Sequence, residues 1–361
     1  MEQKLAAYRG CLLGLAVGDA MGYTVDTKSW PEICEYYGPN GLMGYDLANG
    51  TAEVTSYTQI AAFLCNGLLL AAIRGNPEYT TKYMALSLRE WVKSQQFRAV
   101  AEKTRCWVAQ VPALRRRVCM DTRILDALNR ETLGTPQAPM FRSVTPAALT
   151  GAVAVGLYYD PERMTLPQLM ELGAQAVAFT HGDPETFLSG AFLACALGQL
   201  LQTPNQPLRN IFEQTAQLLH EQYAEAFPEA DVLCSKISYA LSLTVDPEIT
   251  PLVAMTLLGC TTAAECTAGA VYTAVVHAGN FDEAMITSVN HSGRSAAVGA
   301  LTGAFLGARL GADALPEFYL ECLEPAPWLE DLAKDMTEGR QVFKIFDDSW
   351  DQKYIQGQPA V

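Results

Sequence analysis

Few residues in this chain have the type and spacing that chemistry needs. Carboxylates in loops or near helix starts are Asp26, Asp46, Glu53 and Asp183. A hard divalent cation needs several oxygen ligands gathered at one point, chiefly carboxylates, and four positions this dispersed do not define one. Hydroxyls cluster at Thr55-Ser56-Tyr57-Thr58, directly before an apolar segment. There they suit either a helix cap or a ligand-facing group. His181 lies in the loop Thr180-His181-Gly182-Asp183-Pro184, where a satisfied structural histidine and a ligand contact are both open readings. The polar turn Asn290-His291-Ser292-Gly293-Arg294-Ser295-Ala296-Ala297 feeds a helix built largely of Ala and Gly. Such a helix packs very close to its neighbours, so a site at its start is held rigidly. That turn contains no carboxylate. There is no G-x-S-x-G elbow, P-loop, H-E-x-x-H or Cys/His metal spacing, and the four histidines are too scattered to nominate a zinc site.

The elements that must hold these residues read as helices throughout. Leu5, Tyr8, Leu12, Leu15 and Val17 follow helical spacing. Asp19 sits inside that apolar run, where a carboxylate is costly unless hydrogen-bonded; a structural anchor for backbone or Ser/Thr donors is the favoured role. Residues 29–49, with Pro31 and Pro39, read as an irregular loop. Gln59 to Leu70 is a strong helix capped by Thr55 or Ser56. Further helices are expected over 83–91, 121–129, 145–157, 166–179, 185–201, 208–223, 232–243, 282–289, 316–323 and 327–346. Asp183 is the N-cap and Pro184 the first position of the fifth of these. The run from Leu252 to His277 reads as one buried apolar helix rather than a membrane span, since it lacks sustained Leu/Ile/Phe content. With no alternating strand pattern, repeat or flexible linker, the expectation is an all-α, compact multi-helix orthogonal bundle, one domain over residues 1–361.

Bulk properties narrow the partners. A net charge of −14 argues against nucleic acid, which demands clustered Lys and Arg; Arg115-Arg116-Arg117 is the one basic cluster and reads as a solvated helix face. Ten cysteines without a C-x-x-C pair read as reduced, mostly buried small hydrophobes. The N-terminal apolar stretch is broken by Gly14, Gly18 and Asp19 and has no A-x-A-like site. A cytoplasmic location, with no membrane partner, is the expectation.

Four segments in order carry a resemblance. Gly10-Cys-Leu-Leu-Gly-Leu-Ala-Val-Gly-Asp-Ala-Met-Gly22, the glycine-rich loop leading to Thr55-Ser-Tyr-Thr-Gln59, Thr180-His-Gly-Asp-Pro184, and the block from Phe281 to Gly311 resemble the ADP-ribosylglycohydrolase family. The resemblance implies an all-α fold with a two-magnesium cleft that hydrolyses the glycosidic bond between ADP-ribose and an acceptor. Two hard cations held by carboxylates would orient ribose hydroxyls and water there and stabilise an oxocarbenium-like transition state.

Residue by residue, the ligand set implied by the resemblance is mostly gone. The acidic position seven residues after the first motif's Asp is Asp26, a Glu-to-Asp change. The Thr-Asp-Asp-Thr motif falls on Thr55-Ser56-Tyr57-Thr58, and Asp-x-Asp-Thr on Arg294-Ser295-Ala296-Ala297. Met140-Phe-Arg-Ser-Val-Thr-Pro146 is an altered form of the family's Met-Arg segment. Four lost carboxylates, with Arg294 added, imply no magnesium and no other cofactor. The first expectation is a family-like protein binding ADP-ribose or a related nucleotide or phosphate ligand without metal-dependent hydrolysis. Its ligand contacts would come from 55–58, 180–182, Asn290 and 292–295, with Arg294 either meeting phosphate or pairing with Asp26 or Glu53. The alternatives are a metal-independent N- or O-glycosyl hydrolase using Asp26, Glu53 or Asp183 as general acid or base, with Tyr57 and His181 positioning substrate, and a helical scaffold. No protein partner is indicated.

Overall fold

The computed structural model describes residues 2–74, 79–96, 104–339 and 350–358. Sixteen α-helices run in chain order: α1 Glu2–Tyr23, α2 Trp30–Tyr37, α3 Ser56–Arg74, α4 Thr80–Gln96, α5 Arg123–Leu128, α6 Thr150–Leu157, α7 Leu166–Ala178, α8 Pro184–Gln202, α9 Leu208–Tyr223, α10 Glu229–Leu243, α11 Pro251–Leu258, α12 Ala263–Val276, α13 Phe281–Val289, α14 Ser295–Leu310, α15 Glu317–Glu321 and α16 Ala326–Glu338. Among the described residues β-structure is limited to two isolated bridges. The all-α expectation holds.

The two central helices are α1 and α14, which form the most extensive helix pair. Glycine recurs every fourth residue on both, at 10, 14, 18 and 22 and at 299, 303 and 307. Residues four apart share one helix face, so each helix presents a flat stripe of backbone. The stripes face each other antiparallel: a Cβ on Gly14 would lie 2.1 Å from the Gly303 carbonyl oxygen, and one on Gly18 1.9 Å from that of Gly299. Gly22 meets the backbone of Ser295 in the same way. This contact brings the end of α1 to the start of α14, which fixes the site described below.

Three expectations need correction. Residues 30–37 are helical, because Ser29 and Glu32 form a reciprocal capping box and Pro31 sits in the first turn, where its missing N–H costs nothing. The run 252–277 is two helices, parted where Gly259 (φ 75°) and Cys260 (φ 53°) turn left-handed; Thr262 and Glu265 then box the start of α12. Arg115–Arg117 is no solvated helix face. Arg116 lies 2.9 Å from Glu53 and 2.8 Å from Glu324, and Arg117 donates to the Gln95 carbonyl. Elsewhere bounds shift modestly, α4 being longer than expected and α5 shorter. The 327–346 expectation is met by α16 as far as Glu338, and residues 340–346 lie outside the described residues. Among the described residues two helices are long and apolar enough to cross a membrane, α3 and α8, and both are largely buried inside the protein.

Candidate functional site

The first half of the site is the start of α3. Asp19, fully buried on α1, accepts four hydrogen bonds: from the Thr55 and Thr58 amides at 2.9 and 3.0 Å, and from both threonine hydroxyls at 2.6 Å. An N-terminal turn leaves amides without helical partners, and Asp19 satisfies two of them from another helix. Burial pushes its carboxyl above the ordinary range, and the four donors pull it back. Thr55 also caps locally, its Oγ1 accepting from the Tyr57 amide at 3.2 Å. Ser56 is buried, and its hydroxyl accepts from the Met120 amide at 3.0 Å, so the 118–121 segment is tied to the same turn. The Tyr57 carbonyl accepts from Thr150 at 2.7 Å.

The second half is the start of α14. Asp26 Oδ1 accepts from the Ala296 amide at 3.1 Å, capping α14 from outside the helix. Asp26 Oδ2 is buried without a hydrogen bond, and Arg294 Nη1 stands 3.6 Å away. Burial raises the Asp26 carboxyl from 3.8 to about 6, against the pull of the Ala296 amide and Arg294. The Asp26 side chain is 4% exposed and that of Arg294 is 32% exposed. Tyr57 lies within electrostatic reach of both, and its burial holds the phenol well above its usual range. Ser295 Oγ is buried with no hydrogen-bond partner among the described residues.

Backbone strain frames this pair. The described residues contain three non-glycine positions of positive φ, and two of them flank it: Thr27 (65°) and Cys260 (53°). Thr27 donates its amide to the Gly293 carbonyl at 3.1 Å, and the Cys260 carbonyl accepts from the Arg294 amide at 2.8 Å. A Cβ on Gly293 would strike that same Cys260 carbonyl at 2.5 Å. Left-handed conformations of ordinary residues cost about 1–3 kcal/mol each and gather at functional sites.

His181 belongs to a third cluster. Its Nε2 is 2.9 Å from Thr145 Oγ1, its Nδ1 is 2.8 Å from Thr180 Oγ1, and Asp121 Oδ2 lies 3.6 Å from Nε2. Asp121 accepts from Thr145 at 2.7 Å and from Arg123. Burial would raise its carboxyl, yet the His181, Arg123 and Thr145 donors outweigh it and hold it well below the usual range. The Gly182 amide donates to Phe141 at 2.7 Å, which docks the turn on the 139–141 segment. Asp183 occupies the expected N-cap of α8 without a side-chain cap bond.

Other candidates are spoken for. Glu53 pairs with Arg116; the 2.9 Å separation is close, but Nη1 lacks hydrogen-bond alignment, so this is charge proximity. Asn290 clamps the Leu42 amide and carbonyl, both at 2.8 Å. Ser292 Oγ accepts from the Trp30 amide at 2.7 Å. Both residues brace the loop before α3 and the start of α2. His291 is buried, and burial lowers its ring to about 4, which keeps it neutral. Sequence reasoning missed Asp121, Thr145 and Cys260. Only Thr145, inside the altered Met-Arg segment 140–146, carried any signal of its own.

An all-α body with these motifs at one end of a glycine-faced helix pair agrees with comparison to known proteins. The chain belongs to the ADP-ribosylglycohydrolase family, whose model matches residues 1–344. It is similar to an uncharacterized protein of Archaeoglobus fulgidus, 25% identical over 347 residues, covering 94% of this chain and 97% of that one. Among solved structures it resembles a chain described as an ADP-ribosylglycohydrolase-related protein complex. The TM-score is 0.59 at 20% identity, with 94% of this chain and 100% of the other covered. That likeness speaks for the fold.

Proposed function

We propose that this family member binds ADP-ribose, or a related nucleotide or phosphate-bearing ligand, without metal-dependent hydrolysis. The observation that carries the reading is the Asp26–Arg294 pair at the start of α14, where the resemblance leads one to expect magnesium carboxylates. The donors present do not suit two divalent cations. Both Asp19 oxygens are taken by Thr55 and Thr58, Glu53 stands against Arg116, and Arg294 brings positive charge to Asp26. Among the described residues no group of three or more His, Cys, Asp or Glu is placed to hold a metal. Arg294 is a third exposed and engages Asp26 only at 3.6 Å, so its guanidinium retains donors for a phosphate. The strain at Thr27 and Cys260 supports a functional rather than vestigial turn.

Titration of ADP-ribose in chelator should show binding that Arg294→Ala weakens roughly 10- to 100-fold, the worth of a charge-assisted contact. Tight magnesium binding by the protein alone would overturn the reading. A second reading is metal-free glycosyl hydrolysis with Asp26 as general acid or base. Its support is the buried Asp26 beside Tyr57, and a carboxyl near 6 suits proton transfer at neutral pH. Turnover in chelator that Asp26→Asn abolishes would favour it; no nucleotide binding at all would leave a scaffold. The cytoplasmic assignment goes with these proposals, resting on ten free cysteines.

A further inference from the structure

A groove of about 570 Å³ opens between α7, the end of α9, the start of α4 and the 136–137 loop. It shares no lining residue with the Asp26–Arg294 pair and falls in the size range of small-molecule sites. Its polar wall joins the Glu171 carboxylate to the hydroxyls of Thr80, Thr81 and Tyr223 and to four glutamine side chains. Gln175 and Gln222 have their amide nitrogens tied to the Gly134 and Pro167 carbonyls at 3.0 and 3.1 Å, which leaves their oxygens as the untied ends. Gln222 Oε1 and the adjacent Tyr223 hydroxyl are buried with no hydrogen-bond partner among the described residues, an arrangement that costs about 1–3 kcal/mol per group. Glu171, on the facing turn of α7, is exposed and within electrostatic reach of Tyr223. Among the described residues it is the one charged residue lining the groove, and no Lys or Arg lines it. Leu172, Met164 and Phe227 supply apolar surface beside these groups.

We propose that this groove binds a small organic cation, a primary amine or guanidinium on a short aliphatic stem. The cationic head meets Glu171 and, after a small rotation of the side chains, the orphaned oxygens of Gln222 and Tyr223. The stem lies on Leu172, Met164 and Phe227. A cationic head group is drawn to the Glu171 carboxylate and can donate to the unpaired Gln222 oxygen, whereas an anion meets repulsion from Glu171. The strongly acidic chain raises the local concentration of cations and lowers that of anions.

The test uses the full chain and titrates 1-butylguanidinium and butylamine, with butyrate and butanol as controls, followed by ligand-observed NMR. Binding by one of the two cations is expected below about 10 mM. Glu171→Gln should weaken it at least about fivefold, and Tyr223→Phe should weaken it detectably. Glu171→Gln should leave the melting temperature unchanged, Tyr223→Phe should raise it slightly by removing the orphaned hydroxyl, and neither should change the ADP-ribose titration, so this result stands or falls apart from the reading of Arg294. Absence of cation binding, equal affinity for butyrate or butanol, or cation binding untouched by both substitutions overturns the proposal.

Discussion

Replacing Asp19 by alanine separates a structural carboxylate from one kept for a metal. In the structure Asp19 accepts from two backbone amides and two hydroxyls of the α3 start, all buried. The threonine hydroxyls of Asp19→Ala can rotate towards other acceptors, whereas the Thr55 and Thr58 amides cannot. Two orphaned buried donors at roughly 1–3 kcal/mol each give a loss of about 2–6 kcal/mol, less whatever the removal of a desolvated charge returns. A net loss of about 2–5 kcal/mol is expected, which for a chain of this length lowers the melting temperature by about 3–7 °C. Differential scanning calorimetry in chelator, repeated with magnesium, is the assay. The loss should be the same in both, and a double-mutant cycle with Thr58→Val should be non-additive, because the two residues share a contact. If Asp19→Ala were instead more stable than the parent in chelator, Asp19 would be a destabilising buried charge and the capping account would be refuted.

Gly14→Ala places a methyl 2.1 Å from the Gly303 carbonyl and should cost about 3 kcal/mol or more by forcing α1 from α14. Gly44→Ala, with nothing within 4 Å, should stay within about 0.5 kcal/mol in the same denaturation series. The Asp26 carboxyl is raised by burial to about 6, so the folded state holds its proton more tightly than the unfolded chain. Its contribution to stability is therefore lost as pH rises from about 4 to about 6, by about 3 kcal/mol in all, and is flat above that. Urea denaturation of Asp26→Asn at pH 4 and pH 7 should lack this fall, and an unchanged pH profile would contradict the assignment. Glu53→Gln, removing a half-exposed partner of Arg116, should cost about 1 kcal/mol or less in chemical denaturation and leave ADP-ribose binding unchanged.

Much of the fold was legible because the physics is local. Leu208–Tyr223 is found at its expected bounds, since its apolar period runs unbroken between Pro207 and Ala224. Pro31 misled because proline was read as a breaker, when Ser29 and Glu32 three residues apart were the stronger, capping signal. Gly259 was the readable break in the 252–277 run. The four-residue glycine spacing was half legible: α14 was recognised as able to pack closely, but nothing local states that α1 carries the matching stripe. Asp19 was read as an anchor, and its partners proved to be the threonines of the 55–58 cluster. The meeting of Asp121 with His181 was not legible, because residues this far apart are joined only by tertiary packing, and no periodicity reports that. The Asp26–Arg294 pair was one of two partnerships left open, and the contact of α1 with α14 is what selects it.

The central claim is that Arg294, not magnesium, supplies the positive charge at the start of α14. A crystal of the protein soaked with ADP-ribose and manganese, with anomalous scattering recorded at the manganese edge, tests it directly. The account predicts ligand density with a phosphate against Arg294 and no anomalous peak within bonding distance of Asp26 or Asp19. One or two manganese peaks coordinated by those carboxylates, with Arg294 swung away, would contradict it.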